Sequence, residues 1–262
     1  MSGQSSKSPS EQAVFSGEAF SLIELLTVTA LIGLLAALIL PALAREKTQA
    51  KKQRARLEMA QIISALTAYE TVYGQFPVSA EVADSAALME EDMTYGGIIQ
   101  ETHTWLAGPC YMTDNSELMA GLLDLDYFGD GTPTVNSGHV QNPQRTKFLD
   151  ASMHGGTNAA PGVGADGLYR DPWGSPYIVT LDLNGDGRAR DVMYRQGVVA
   201  EDAQNPGRGL HGLIAMRNVS GRTVYEAPAR VLVWSAGPDR HLSNLQKADQ
   251  GVNRDNILSW SR

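Results

Sequence analysis

The chain has 262 residues, of which 43% are hydrophobic, and this suffices for one large domain or two small ones with an apolar core. Its formal net charge is -8, and acidic residues outnumber basic ones downstream of Arg56, which argues against a nucleic-acid partner. Cys110 is the only cysteine, so an intrachain disulfide and a cysteine zinc cluster are excluded.

The N-terminal region combines a polar leader with a long apolar stretch. Residues 1–19 are Ser-rich and lack the apolar core of a secretory signal peptide. From Leu25 to Ala44 the chain carries no charge, and about 20 such residues cross the hydrocarbon core of a bilayer as a helix. Gly33 and Pro41 are tolerated in such helices. The pattern therefore predicts one membrane-spanning helix.

Glu24 lies at the start of this apolar stretch and allows two interpretations. It either snorkels to the membrane interface or has a functional role. A charged side chain deep in the bilayer costs about 2.5 to 3.5 kcal/mol, so a functional carboxylate there needs a positively charged partner. No basic residue lies near it in the sequence.

The stretch "AFSLIELLTVTALIGLLAALILPAL", which begins at Ala19, resembles the N-terminal signal of type IV pilins and type II secretion pseudopilins. The resemblance implies that a prepilin peptidase cleaves between Ala19 and Phe20 and that Phe20 is then N-methylated. It also implies that Glu24 meets the Phe20 amine of a neighbouring subunit in an apolar filament core. Pro41 lies where these helices commonly carry a proline. Ala19 stands where the family nearly always has Gly.

The orientation of the span is predicted differently by charge and by resemblance. Six Lys or Arg residues lie between Arg45 and Arg56, against Lys7 alone in the leader, and the positive-inside rule then places the C-terminal body in the cytoplasm. The resemblance implies a cytoplasmic leader and a periplasmic body. We follow the resemblance because the motif is long and position-specific.

A helical pattern continues beyond the apolar stretch. Apolar residues recur at steps of three and four, which predicts one helix of about fifty residues that continues to the breakers Gly74 and Pro77. The residues of this pattern are Leu57, Met59, Ile62, Ile63, Leu66, Tyr69 and Tyr73.

The remaining sequence predicts an inserted region followed by a sheet. The stretches "EVADSAALMEEDM" and "NSELMAGLLDLDYF" favour short helices, whereas "PYIVTLDL", "ARDVMYR" and "ARVLVWSAG" favour antiparallel strands. The expected fold is α+β, and the resemblance makes it pilin-like. The predicted segments are a leader (1–19), a span (20–44), its amphipathic continuation (45–77), an irregular insertion (78–170) and a sheet with acidic loops (171–262).

One acidic loop, "DLNGDGRARD", has the spacing of a calcium-binding turn. Asp182, Asn184 and Asp186 alternate before Gly187, as at the opening of an EF-hand loop, although the twelfth position is Met193 instead of Glu. The alternative is a polar hairpin with Asx turns. Both interpretations remain open at this point.

A second acidic loop follows "DPWGSPY", which begins at Asp171. With "SAGPDRHLSNLQKADQGVNRDNILSW", it resembles the C-terminal part of the type II secretion major pseudopilin, whose loop binds calcium. The resemblance implies Asp239, Asp249 and Asp255 as candidate ligands, with Arg240 where the family has Gly. The alternative is a loop held by packing of Trp260 and ordinary hydrogen bonds.

The expected function is therefore structural and not enzymatic. The resemblance implies a single-pass inner-membrane protein, embedded in lipid, that assembles with other copies and minor pseudopilins into a periplasmic filament on an inner-membrane secretion platform. One alternative is a type IV pilin-like surface filament for adhesion, motility or DNA uptake. Another is a membrane-tethered periplasmic enzyme or calcium-binding protein.

Overall fold

The fold was analysed in a computed structural model that describes residues 21–97, 110–112, 114–156, 159–218 and 221–261. It combines a long N-terminal helix with an antiparallel-rich sheet, and the α+β class is confirmed. The chain divides into two compact units, Met1–Lys47 and Thr48–Arg262, and each is described by itself.

Helix α1 spans Leu22–Tyr73 and has 52 residues, which confirms the predicted single long helix. It ends before Gly74, whose φ of 74° is left-handed and therefore favours glycine. Pro41 lies inside α1, and because proline has no N–H it cannot donate to the carbonyl four residues earlier.

The part of α1 in the first unit is apolar and exposed. Every residue from Leu22 to Lys47 is exposed, including the leucines and isoleucines of the uncharged stretch. Among the described residues, α1 is the one helix long and apolar enough to cross a membrane. This finding is consistent with the predicted single-pass anchor.

The part of α1 in the second unit buries one stripe. Its buried residues recur at steps of three and four, as one face of a helix requires. They are Ala55, Glu58, Met59, Ile62, Ala65, Leu66 and Tyr69. Leu57 was predicted on this face, but it is 67% exposed.

Three short helices follow α1. They are α2 (Ala80–Met89), α3 (Ser116–Leu123) and α4 (Gly197–Ala200). The first two confirm the helices predicted inside the insertion. Helix α2 begins after Ser79, whose hydroxyl accepts the N–H of Val82 at 3.4 Å and so caps the helix.

The described residues form nine short strands. They are β1 (Met93–Tyr95), β2 (Tyr111–Met112), β3 (Gly162–Val163), β4 (Tyr169–Arg170), β5 (Ile178–Leu181), β6 (Ile214–Arg217), β7 (Thr223–Glu226), β8 (Val231–Ser235) and β9 (Ile257–Leu258). The main sheet has the order β2-β1-β5-β8-β9, while β3–β4 and β6–β7 are separate antiparallel pairs. Two strands of the main sheet, β1 and β2, come from the predicted insertion and pair in parallel.

The central strands β5 and β8 are buried on both faces. On one face Val179 and Val233 join the core cluster that contains the apolar residues of the buried stripe of α1 and four residues of α3. On the other face Ile178 and Trp234 join a second cluster of C-terminal residues. Successive side chains of a strand point to opposite faces, so one strand supplies both cores.

The strand predicted for "ARDVMYR" is wrong, because a buried carboxylate turns the chain there. Asp191 is 1% exposed, and its Oδ1 accepts the N–H groups of Met193 and Tyr194, each at 2.9 Å. Its Oδ2 accepts the hydroxyl of Thr180 at 2.8 Å and the indole N–H of Trp234 at 2.9 Å. The two bonds to nearby backbone N–H groups favour a turn over an extended strand, and the two bonds from side chains of β5 and β8 hold the carboxylate in place.

Candidate functional sites at the helix start and in the acidic loops

The start of α1 gives Glu24 a local partner. Its Oε2 accepts the backbone N–H of Ser21 at 2.8 Å, while Ser21 Oγ accepts the N–H of Ile23 at 3.3 Å. This arrangement is close to a capping box, in which a Ser and a Glu three residues later satisfy the free N–H groups of the first turn. Sequence reasoning missed this role, although the S-x-x-E spacing from Ser21 to Glu24 signals it.

Two threonines follow Glu24 inside the apolar stretch. The hydroxyl of Thr27 donates to the carbonyl of Glu24 at 2.9 Å, and that of Thr29 donates to the carbonyl of Leu25 at 3.0 Å. Both hydroxyls are thus satisfied within α1, which lowers the cost of placing this stretch in hydrocarbon. The predicted cleavage residues, Ala19 and Phe20, lie outside the described residues.

The "DPWG" turn is organised by the carboxylate of Asp171. This residue is fully buried, and its Oδ1 accepts the N–H groups of Trp173 at 2.8 Å and Ser175 at 3.0 Å. Burial raises the pKa of Asp171, while these hydrogen bonds oppose the rise. At Gly174 φ is 92°, and a Cβ would lie 2.1 Å from the carbonyl oxygen of Ala159, so the turn requires glycine.

The same carboxylate joins this turn to the start of the C-terminal loop. Ser235 Oγ donates to Asp171 Oδ2 at 2.5 Å and accepts the N–H of Gly237 at 3.0 Å. At Gly237 φ is 73°, and a Cβ would lie 2.3 Å from the carbonyl oxygen of Asp255. The two motifs, which the sequence analysis linked by resemblance but not by a direct contact, therefore form one buried polar unit.

The C-terminal loop brings together two of its three candidate ligands. Asp255 Oδ2 accepts the N–H of Asp239 at 3.2 Å, and Asp239 Oδ1 accepts the N–H of His241 at 2.8 Å. Burial and the charge of Asp239 raise the pKa of Asp255, and the charge of Lys52 opposes the rise. Asp249 is exposed and takes no part in these contacts.

Arg240 occupies a strained position in this loop. Its φ of 61° lies in the left-handed region, where glycine is favoured, and glycine is what the resemblance implies there. Its Nε donates to Ser175 Oγ at 3.4 Å. Nearby, Trp260 packs edge-on against Tyr194 with ring centroids 5.3 Å apart, so aromatic packing also holds the C-terminal segment.

The loop around Asp182 is closed by its own backbone. Asp182 accepts the N–H groups of Gly185 at 2.7 Å and Gly187 at 3.0 Å, and Asn184 Oδ1 accepts the N–H of Asp186 at 2.9 Å. The Nε of Arg230 also donates to Asp182 Oδ2 at 3.1 Å. These bonds form the Asx turns of the polar hairpin that was predicted as the alternative to a calcium site. The guanidinium of Arg230 already supplies the positive charge that a calcium ion would bring.

No group of three or more His, Cys, Asp or Glu side chains in the described part of the chain is placed to hold a metal ion. Comparison of the chain with protein-family models, with curated proteins and with solved structures gave no match. Any assignment of function therefore rests on the residues and contacts described above.

Proposed function

We propose that the protein is a structural subunit of a periplasmic type II secretion pseudopilus. The observation that carries the proposal is α1, an uninterrupted helix with an exposed uncharged first half behind Glu24 and a second half that packs on the C-terminal body. The motif that begins at Ala19 and the shared Asp171–Ser235 unit support the same assignment.

In this proposal the first half of α1 occupies two environments in succession. While it is stored in the inner membrane, Glu24 accepts the Ser21 N–H and caps the helix, which suits a carboxylate at a helix N-terminus. On assembly the Phe20 amine of a neighbouring subunit becomes its partner, and the two charges neutralise each other in the apolar filament core. The helix start thus serves both states.

The proposed partners follow from this cycle. A prepilin peptidase removes residues 1–19, other copies and minor pseudopilins form the filament, and an inner-membrane platform assembles it. The body of the subunit lies in the periplasm. The subunit acts mechanically and performs no chemistry of its own.

The first test is the N-terminus of the mature chain. The full chain is expressed with and without a prepilin peptidase, and its N-terminus is determined by mass spectrometry. We expect a start at methylated Phe20 only with the peptidase, and faster processing of Ala19→Gly. A leader that stays attached in a membrane-inserted chain contradicts the filament function and favours the tethered protein instead.

The second test separates the charge of Glu24 from its capping role. Glu24→Gln keeps an oxygen that accepts the Ser21 N–H but removes the charge, whereas Glu24→Ala removes both. We expect both variants to insert into membranes and both to lose filament yield, because neutralisation of the Phe20 amine needs the charge. A normal filament yield from Glu24→Gln would show that capping alone suffices.

We also propose that calcium binds the C-terminal loop through the carboxylates of Asp239 and Asp255, which the bond from the Asp239 N–H to Asp255 Oδ2 holds in one part of the loop. The like charges of this pair favour a divalent cation, and Asp249 joins them only if the loop moves. Calorimetry of the full chain in detergent tests this: Asp239→Ala should abolish calcium binding, while Asp182→Ala should leave it unchanged. The reverse result would assign the ion to the loop around Asp182.

A further inference from the structure

The first residues after the apolar stretch carry two exposed positive charges without a partner in the described structure. Arg45 directly follows Ala44 and Lys47 comes two residues later, and neither side chain makes a hydrogen bond or an ion pair within the residues that the structure describes. Two other basic residues of this segment, Lys51 and Arg54, do have partners. The Nζ of Lys51 lies 5.9 Å from the ring centroid of Trp173, and Arg54 pairs with Glu58 at 2.8 Å.

The position of Arg45 and Lys47 along the helix places them at a membrane surface. Each residue of an α-helix advances about 1.5 Å, so both lie within about 5 Å of Ala44. Long basic side chains at the end of a span reach into the headgroup layer. Arg56 lies about 18 Å beyond Ala44 by the same measure, which exceeds the screening length of about 8 Å at physiological salt.

The distribution of the two charges around the helix points to a partner on several sides. At about 100° per residue, Arg45 and Lys47 project about 200° apart, on nearly opposite faces of α1. A single protein surface contacts one face of a helix, whereas lipids surround it. Glu46, the one acidic residue of this segment, projects between them and does not lie against either.

We propose that Arg45 and Lys47 form a binding collar for the phosphates of anionic phospholipids. The guanidinium of Arg45 suits bidentate binding of a phosphate, and the ammonium of Lys47 adds a point charge on the opposite face. The collar requires that α1 crosses a bilayer, but it does not depend on filament assembly or on secretion. The collar also gives Arg45 and Lys47 a role in addition to any effect they have on the orientation of α1 in the membrane.

The test uses the full chain reconstituted in phosphatidylcholine vesicles that contain traces of spin-labelled phosphatidylglycerol or phosphatidylcholine. Insertion is first verified by flotation. We expect bound lipid to favour phosphatidylglycerol on the order of fivefold for each of the two charges. Arg45→Gln with Lys47→Gln should remove the preference, high salt should weaken it, and Arg45→Lys should keep it.

The matched control removes two exposed arginines from the body, Arg217→Gln with Arg222→Gln, and so reaches the same net charge. It should keep the lipid preference. The proposal is overturned if the wild-type chain shows no preference, if the Arg45 and Lys47 variant retains it, or if the control loses it equally. If that variant instead lowers energy transfer between labelled copies while lipid preference is unchanged, the partner is a second copy. The lipid-binding proposal is also overturned if the wild-type chain fails to insert into the vesicles.

Discussion

The two halves of α1 differ in where their stabilising contacts lie. From Leu22 to Lys47 every side chain is exposed, whereas from Ala55 to Tyr69 one stripe is buried in the core of the C-terminal body. Each half also has a carboxylate with a local partner: Glu24 bonds the Ser21 N–H, and Glu58 bonds Arg54 and Tyr177. The second half is packed within the body, while the first half presents an apolar surface of the kind that marks a membrane or protein interaction site.

The largest effect that separates the halves is expected from leucine truncation. Leu66 is fully buried, so Leu66→Ala should lower the free energy of unfolding of the body by about 2 to 5 kcal/mol through lost burial and a cavity. Leu35 is 50% exposed, and Leu35→Ala should change the free energy of unfolding of the body by less than about 0.5 kcal/mol. Urea unfolding in detergent, followed by tryptophan fluorescence, measures both. Equal losses would mean that the first half also packs within this chain.

Removal of the Glu58 side chain should likewise destabilise the body more than removal of the Glu24 side chain. Tyr177 is fully buried, and its hydroxyl donates to Glu58 Oε2 at 2.6 Å. Glu58→Ala leaves that hydroxyl without its acceptor and should cost about 1 to 3 kcal/mol. Tyr177→Phe should then add little in the same chain, and a double-mutant cycle measures this coupling. Glu24→Ala is the control, and a comparable loss of body stability from it would contradict the comparison.

The body should also respond to pH, through the buried carboxyl group of Asp92. Burial raises the pKa of Asp92 to about 7, with the nearby charge of Asp182 adding to the rise and backbone N–H groups opposing it. The folded state therefore holds a proton that the unfolded state releases near pH 4. The contribution of Asp92 to the free energy of unfolding is therefore fully present below about pH 4, and it is lost as the pH rises to about 7.

This loss should amount to at most about 1.4 kcal/mol per pH unit. Asp92→Asn should flatten the stability profile between pH 4 and pH 7, as measured by urea unfolding at several pH values. The same slope in wild type and variant would contradict the assignment of the titration to Asp92.

The smallest effect is expected at Arg240. Glycine relieves the left-handed strain but adds freedom to the unfolded chain, so Arg240→Gly should stabilise the body by less than about 1 kcal/mol. Arg240→Ala removes the side chain but keeps the strain, and it should not stabilise. Thermal unfolding of both variants tests this, and a gain from Arg240→Ala would assign the effect to the guanidinium instead.

The sequence was most informative where one physical factor dominates. The steps of three and four from Met59 to Tyr69, followed by Gly74, sufficed to predict α1 to its last turn. The β-branched runs of β5 and β8 were equally clear. Strand β1 was missed because it has three residues and lies between partners distant in sequence, so its pairing depends on tertiary packing.

The candidate sites were only partly predictable for a similar reason. Asp239 and Asp255 were predicted from their motif and do meet, but the exposure of Asp249 depends on how the whole loop closes. The role of Asp171 as the link to Ser235 was not predicted, because these residues are 64 positions apart. Local spacing alone sufficed for the Asx turns around Asp182, and it also signals the capping role of Glu24.

The pairing of β5 with β8 has a consequence for how the protein folds. Ile178 lies opposite Trp234, so this pairing closes a long loop, whereas α1 forms through contacts between neighbours in sequence. Helix formation should therefore precede completion of the sheet by orders of magnitude in time. During that interval the apolar strands and the buried stripe of α1 are uncovered. A newly made chain is therefore most exposed to proteases and most dependent on chaperones after α1 forms and before β5 pairs with β8.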